Sequence, residues 1–299
     1  MPRQKEGMKR LGFLNSASSK ELAGPLAAFH RGMKQAGFVE GKNVEITYKW
    51  AKHDLARLPE FAAKLVEAGV DVLAATGGLA SAQAAVEAAK NSPVRVVFVG
   101  GFDPVKAKLV DDLERPSGNA TGISTSSTES LPHRLKLAKE LLSERKVAVL
   151  IKPNTVVGRL EQQAANGAPV LAASTESELK ARFAEAKKAG YAVLVGADAF
   201  FTSKRKQIVA LAKQQGVPAI YPWREYVEIG GLMSYGPSLT NAYRQAGLYV
   251  GKILGDGNCA NPPVLQPTCF EHMINLKAAK ALGLTVPGAA LSRASHVIE

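Results

Sequence analysis

The sequence predicts an α/β protein made of two doubly wound parallel-sheet lobes. Three observations lead there. Apolar runs of strand length, such as Val70–Ala75 and Val94–Gly101, alternate with helix-period stretches along almost the whole chain, a pattern that gives parallel sheets covered on both faces. The pattern restarts after about Ser124. A length of 299 residues also suits two lobes of ordinary domain size.

Taken in order, Arg10–Leu14 reads as a strand ending at Asn15-Ser16. Ser18-Ser-Lys-Glu21 is spelled as a capping box for a helix reaching Ala36. Strands follow over Val44–Trp50 and Val70–Ala75, with a helix over Leu58–Ala68 between them and an Ala-rich helix over Ala80–Lys90 after them. Val94–Val99 and Ala120–Ser124 complete the first lobe. The second begins with a helix over Glu129–Leu142 and a strand over Lys146–Ile151. Thr175-Glu-Ser-Glu178 is another capping box, opening a helix to about Ala189. A strand over Ala192–Gly196 and a helix over Ser203–Gln215 come next. Ala219–Tyr221, a helix from Trp223, Leu232–Ser234, a helix over Tyr243–Leu254 and Phe270–Asn275 finish the reading.

Composition excludes several classes. No run approaches the roughly 18 apolar residues that a transmembrane helix needs. The segment Met1–Met8 is polar, so no apolar signal core precedes the first strand. The net charge of +12 is scattered through helices without interleaved aromatics, which reads as a solvated basic surface and not a nucleic-acid stripe. Cys259 and Cys269 permit one bridge or two free thiols, and two cysteines do not make a disulfide scaffold.

Ligands of open α/β sheets bind beyond the carboxyl ends of the strands. Those ends carry Asn15, Ser16, Thr76, Gly77, Gly78, Phe102, Asp103, Asn154, Asp198, Phe200, Tyr221 and Tyr235, and Ser81 lies near them at the start of the following helix. Small polar groups, two carboxylates and several rings suit a small polar or aromatic ligand. Phe102, Phe200, Tyr221, Trp223 and Tyr235 favour a ligand with a ring.

Other chemistry lacks its motifs. The first strand–helix turn, Asn15–Ser19, has no glycine for a dinucleotide fingerprint. Gly37–Lys42 and Gly247–Lys252 are one residue short of a Walker loop. His30, His53, His133, His272 and His296 are dispersed, so no metal site is expected, and no cofactor either. Asp103 and Asp198 are the only acid/base pair that suggests itself, without a nucleophile beside it.

Several segments carry a family resemblance: Arg31–Val44, Val97-Phe-Val with Asp103-Pro-Val105, Gly118–Ile123, Pro218–Tyr221 with Arg224–Val227, Gly230–Pro237, and Gln266–Leu284. As a set, spanning Lys9 to the C-terminus, they resemble the ABC transporter substrate-binding proteins related to the tryptophan/tyrosine-type importers. The resemblance implies a type I periplasmic-binding clamshell with three hinge crossovers, expected near Ser124, Tyr235 and Leu265. Lobe 1 is then residues 8–124 plus 236–264, and lobe 2 is 125–235 plus 265–299. It implies a monomeric, non-enzymatic solute-binding component that captures an amino-acid-like or aromatic carboxylate ligand in the inter-lobe cleft and presents it to a membrane permease. It also implies a periplasmic or lipid-anchored extracytoplasmic place, with the leader missing from this stretch, and no nucleic-acid partner. On matching positions, Asn15, Ser16, Asp103, Asp198, Tyr221 and Tyr235 fall on cleft-lining loops.

Three departures stand out. Gly78-Leu79 replaces the family's frequent Thr-Pro or Ser-Pro, Ser238 stands where an Asp is usual, and Asn154–Thr175 is short. Three other readings share the residues: a sensor with the same fold, the effector core of a regulator, and an α/β enzyme using Asp103 and Asp198. A regulator would carry a helix-turn-helix before the first strand, where only eight residues precede Lys9.

Overall fold

The computed structural model describes residues 7–125, 130–143, 145–256, 262–266 and 270–299. The chain opens with β1 (Lys9–Asn15), α1 (Ala23–Gln35), β2 (Val44–Trp50), α2 (Leu58–Glu67), β3 (Val72–Ala75), α3 (Leu79–Ala89), β4 (Arg95–Gly100) and β5 (Ala120–Ser124). It continues with α4 (Leu131–Leu142), β6 (Val147–Ile151), α5 (Val156–Ala164), β7 (Val170–Ala172), α6 (Glu176–Ala189) and β8 (Ala192–Val195). Then come α7 (Ala199–Ser203), α8 (Arg205–Gln215), β9 (Ala219–Tyr221), α9 (Arg224–Glu228) and β10 (Met233–Pro237). It ends with α10 (Leu239–Asp256), β11 (Phe270–Asn275), α11 (Leu276–Ala281), α12 (Gly288–Ser292) and β12 (His296–Ile298).

The chain forms two compact units. One holds the described residues of Met1–Thr125 and Leu239–Pro267, and the other those of Ser126–Ser238 and Thr268–Glu299. Leu265 stays with the first unit because it bridges to Ile123, its N–H bonding the Gly122 carbonyl and its carbonyl accepting the Ser124 N–H.

The first unit is a five-stranded parallel sheet in the order β2-β1-β3-β4-β5. Alternation along β1 sends Phe13 to one face, where its ring meets Phe29 of α1 at 5.3 Å, and Gly12 to the other, against Leu65 of α2. On the Phe13 face, Ala28, Phe29 and Met33 of α1 join Ala242, Tyr243, Ala246, Val250 and Leu254 of α10 in one buried cluster with the strands. Glycine makes this helix pair possible. A Cβ on Gly32 would strike the Arg244 carbonyl, and one on Gly247 the Phe29 carbonyl.

The second unit is a seven-stranded sheet in the order β12-β11-β10-β9-β8-β6-β7. Every pair is parallel except β10–β11. The core on one side gathers Leu135, Ala138, Leu141 and Leu142 of α4 with Val147, Val149 and Ile151 of β6 and residues of α11 and α12.

The two capping boxes part company. At Thr175 both reciprocal bonds form, with Thr175 Oγ1 accepting the Glu178 N–H and Glu178 accepting the Thr175 N–H, and α6 starts there. At Ser18 the expected cap is overturned. Glu21 Oε2 does accept both the Ser18 N–H and hydroxyl, but α1 begins only at Ala23, after Leu22, with no side-chain cap. Glu21 closes a turn and bonds His53 Nε2 at 3.0 Å instead. Elements β7 and β12, of three residues each, lie outside the sequence reading. Cys259 and Cys269 fall outside the described residues.

Candidate functional site

In the first unit the strand ends are braced from within. Asn15 closes β1 and is 1% exposed. Its Nδ2 donates to Thr76 Oγ1 (2.9 Å) and to the Tyr243 hydroxyl oxygen (3.3 Å), while its Oδ1 accepts the Ala17 N–H at 2.8 Å. The Tyr243 hydroxyl donates to the Thr76 carbonyl at 2.7 Å, and Ser16 Oγ donates to the Gly77 carbonyl at 2.8 Å. Burial pushes the Tyr243 phenol up to about 12, so it remains a neutral donor.

The start of α3 is less saturated. Gly78 precedes it with φ +81, a left-handed conformation that glycine adopts freely, and no side chain caps the helix. First-turn amides have no intrahelical acceptor and sit at the positive end of the helix dipole. Ser81, in that first turn, has a fully buried Oγ without a hydrogen-bond partner. Thr76, Gly77, Gly78 and Ser81 thus stand together at the start of α3, where the donors of a first turn suit an anion.

Phe102 is 1% exposed and packs on Phe98 at 5.8 Å, while its carbonyl accepts from Ser124 Oγ at 2.8 Å. Asp103 is the more accessible carboxylate. Its Oδ1 accepts the N–H groups of Val105 and Lys106, both at 3.0 Å, and its Oδ2 pairs with Lys106 Nζ at 3.2 Å. Partial burial acts to raise its pKa, and the bonds from Lys106 and Val105 outweigh that and hold it below the usual carboxylate value.

In the second unit, Asn154 sits exposed in the loop after β6 with φ +60. Asp198 follows β8, is 8% exposed, and accepts the Phe200 N–H at 2.9 Å, capping α7. Burial raises the Asp198 carboxyl, opposed by that bond and by the charge of Lys152. Lys152 lies 5.2 Å from the Phe200 ring centre. Phe200 is 8% exposed.

Tyr221 is 1% exposed and stacks on Tyr226 at 4.7 Å, and Trp223 is equally interior, donating from Nε1 to Thr202 Oγ1 at 3.1 Å. Burial raises the Tyr221 phenol. Tyr235 differs from these rings. It is half-buried on β10, stacks on Phe270 at 5.5 Å, and lies 4.4 Å from His133. Of the five aromatics that suggested a ring-bearing ligand, Phe102, Phe200, Tyr221 and Trp223 spend their area on the unit cores, and Tyr235 alone keeps a partly open face.

Sequence reasoning did not single out Tyr243, Arg134 or Glu161. Arg134 and Glu161 are both fully buried beneath the turn that carries Asp198. One signal was available, because Arg134 interrupts the apolar stripe of Leu131, Leu135, Ala138 and Leu142. Among the described residues no group of three His, Cys, Asp or Glu side chains is placed to hold a metal ion, and no helix is long and apolar enough to cross a membrane.

Comparison with known proteins agrees with this architecture. A tyrosine-binding protein of Clostridioides difficile (strain R20291) is 26% identical over 285 residues, spanning 92% of this chain and 81% of the relative. The crystal structure of a conserved domain protein from Vibrio cholerae superposes with a TM-score of 0.85 at 27% identity, covering 97% of this chain and 99% of that one. An ABC domain in complex with L-Trp from Streptococcus pneumonia gives a TM-score of 0.80 at 23% identity, covering 96% and 100%, and shares the fold. The family model for ABC transporter substrate binding proteins matches residues 20–298. With two parallel-dominated α/β units and a match along nearly its whole length, this chain belongs to the ABC transporter substrate binding protein family, and its work is to bind a solute for an ABC transporter.

Proposed function

We propose that the chain binds an α-amino acid with a ring-bearing side chain outside the cytoplasmic membrane and delivers it unchanged to the permease of an ABC importer. The observation that carries the ligand class is the uncapped start of α3, with the buried and unpartnered Ser81 Oγ in its first turn. Those donors suit a carboxylate. Taken by itself, the second unit holds a largely buried Asp198 carboxylate, which suits an ammonium group. Tyr235, with Phe270 and His133 beside it, supplies ring area. The tyrosine-binding relative and the L-Trp-bound neighbour support the same class.

The test is a thermal-shift and calorimetric screen against the common amino acids and aromatic acids, followed by recovery of the ligand. A ligand at 100 times its Kd adds about 2.7 kcal/mol of stability. A shift confined to aromatic amino acids, with the ligand recovered unaltered, is expected. Consumption of the ligand, or binding only of sugars or polyols, would overturn the reading.

A further inference from the structure

Arg134 and Glu161 lie wholly inside the second unit, and both hold the end of β8. Arg134 on α4 donates from Nη1 to the Val195 carbonyl at 2.9 Å. Glu161 on α5 accepts the Ala197 N–H on Oε1 at 2.6 Å. Its second oxygen, Oε2, is buried without a hydrogen-bond partner and presses on Gly196, where an added Cβ would overlap it. Asp198 is the next residue along that turn. A strand end that only needed rigidity would be served by apolar packing or by a neutral amide, since a buried carboxyl is costly to ionise.

The charged and titratable groups around Glu161 come from each neighbouring element. Arg134 faces it from α4, Asp198 acts on it from the turn after β8, Lys152 acts on Asp198 from the end of β6, and Tyr226 of α9 acts on Arg134. Two carboxyl groups that act on each other in a buried site do not both ionise readily. A cation delivered to Asp198 changes that balance.

We propose that Glu161 is a proton-linked positioning residue for the ligand: an ammonium group arriving at Asp198 releases the proton of Glu161, and the resulting carboxylate strengthens the hold on the turn and on the cation. The step breaks one O–H bond at Glu161 and passes the proton to solvent, with no transfer of electrons. It rests on the reading that Asp198 receives the ammonium of an amino acid. Burial pushes the Glu161 carboxyl up to about 7, with Asp198 adding to the rise and the Ala197 N–H and Arg134 opposing it, so both protonation states are populated near neutral pH.

Calorimetry with L-tyrosine and L-tryptophan at pH 7, in two buffers of different protonation enthalpy, tests this. The wild-type chain should release roughly half a proton per ligand bound, and its affinity should rise several-fold from pH 6 to pH 8. Glu161→Gln keeps an oxygen for the Ala197 N–H and cannot ionise, so proton release should vanish and the affinity profile flatten. Glu161→Met gives the same reading if the Gln variant does not fold. Asp198 itself, and His133 and His272 near Tyr235, remain in both variants, so proton release that survives the substitution comes from groups other than Glu161 and overturns the inference. Binding by the wild type without proton release overturns it too, and leaves the amino-acid reading standing. Absence of binding by either amino acid sinks that reading, and this inference with it.

Discussion

The hydroxyl of Tyr243 reaches the carbonyl of Thr76 at 2.7 Å and shares its oxygen with the Asn15 amide, so one phenol from α10 ties together the ends of β1 and β3. Tyr243→Phe removes that tie and leaves buried polar atoms unpaired. Such a loss costs about 1–3 kcal/mol. Urea denaturation should show it as a lower midpoint at unchanged slope, and an unchanged midpoint would mean that the brace is dispensable.

Gly247→Ala should destabilise by about 1–3 kcal/mol, although alanine is the better helix former. The added Cβ meets the Phe29 backbone carbonyl, which cannot move without parting α1 from α10. Gly24→Ala in α1, with open space at the same atom, should be neutral or stabilising by up to about 1 kcal/mol. Equal effects of the two substitutions in parallel melts would refute the close-packing account.

Thr175→Ala breaks the capping box of α6 and should cost about 0.5–2 kcal/mol. Ser18→Ala, at a box of the same type that starts no helix, should cost less. Circular dichroism melts of the two variants compare them directly.

Stability should fall as pH rises from about 5 to 8, by way of Glu161. Its folded-state value of about 7 lies above the ordinary 4.5, so the folded state holds the proton more tightly than the unfolded state. The stabilisation is full below the unfolded value and is lost as pH rises through the folded one. Integrated over that window the loss is on the order of 3 kcal/mol. Glu161→Gln should remove this component and be the more stable chain at pH 8, as read from denaturation midpoints at pH 5, 6, 7 and 8. A wild-type chain that is as stable relative to the Gln variant at pH 8 as at pH 5 would disprove it.

The fold was legible because β3, β4, β6 and β8 are apolar runs of strand length and the long helices between them keep their period. What escaped the sequence lacked such a signal. β7 and β12 are three residues long, too short to show an alternation. Ser18–Glu21 and Thr175–Glu178 have the same spacing, yet Glu21 is also bound to His53, thirty-two residues away, and the helix waits for Leu22. At the site, strand-end positions located Asn15, Thr76 and Asp198 but not what surrounds them. Asn15 and Thr76 are engaged by Tyr243, which arrives from a helix that sequence order places far downstream. Glu161 stands among Arg159, Gln162 and Gln163, which reads as a solvated face, and only the packing of α5 against β6 and α4 turns it toward the turn after β8.

The pairing of α1 with α10 also orders events in time. The glycine-lined face of α1 emerges from the ribosome roughly 200 residues before its partner, an interval of roughly 10–40 s at ordinary elongation rates. Through that interval Ala28, Phe29 and Met33 have no α10 to cover them. The amino-terminal sheet can therefore gather early, but that face of α1 stays without its cover until α10, residues 239–256, has been made.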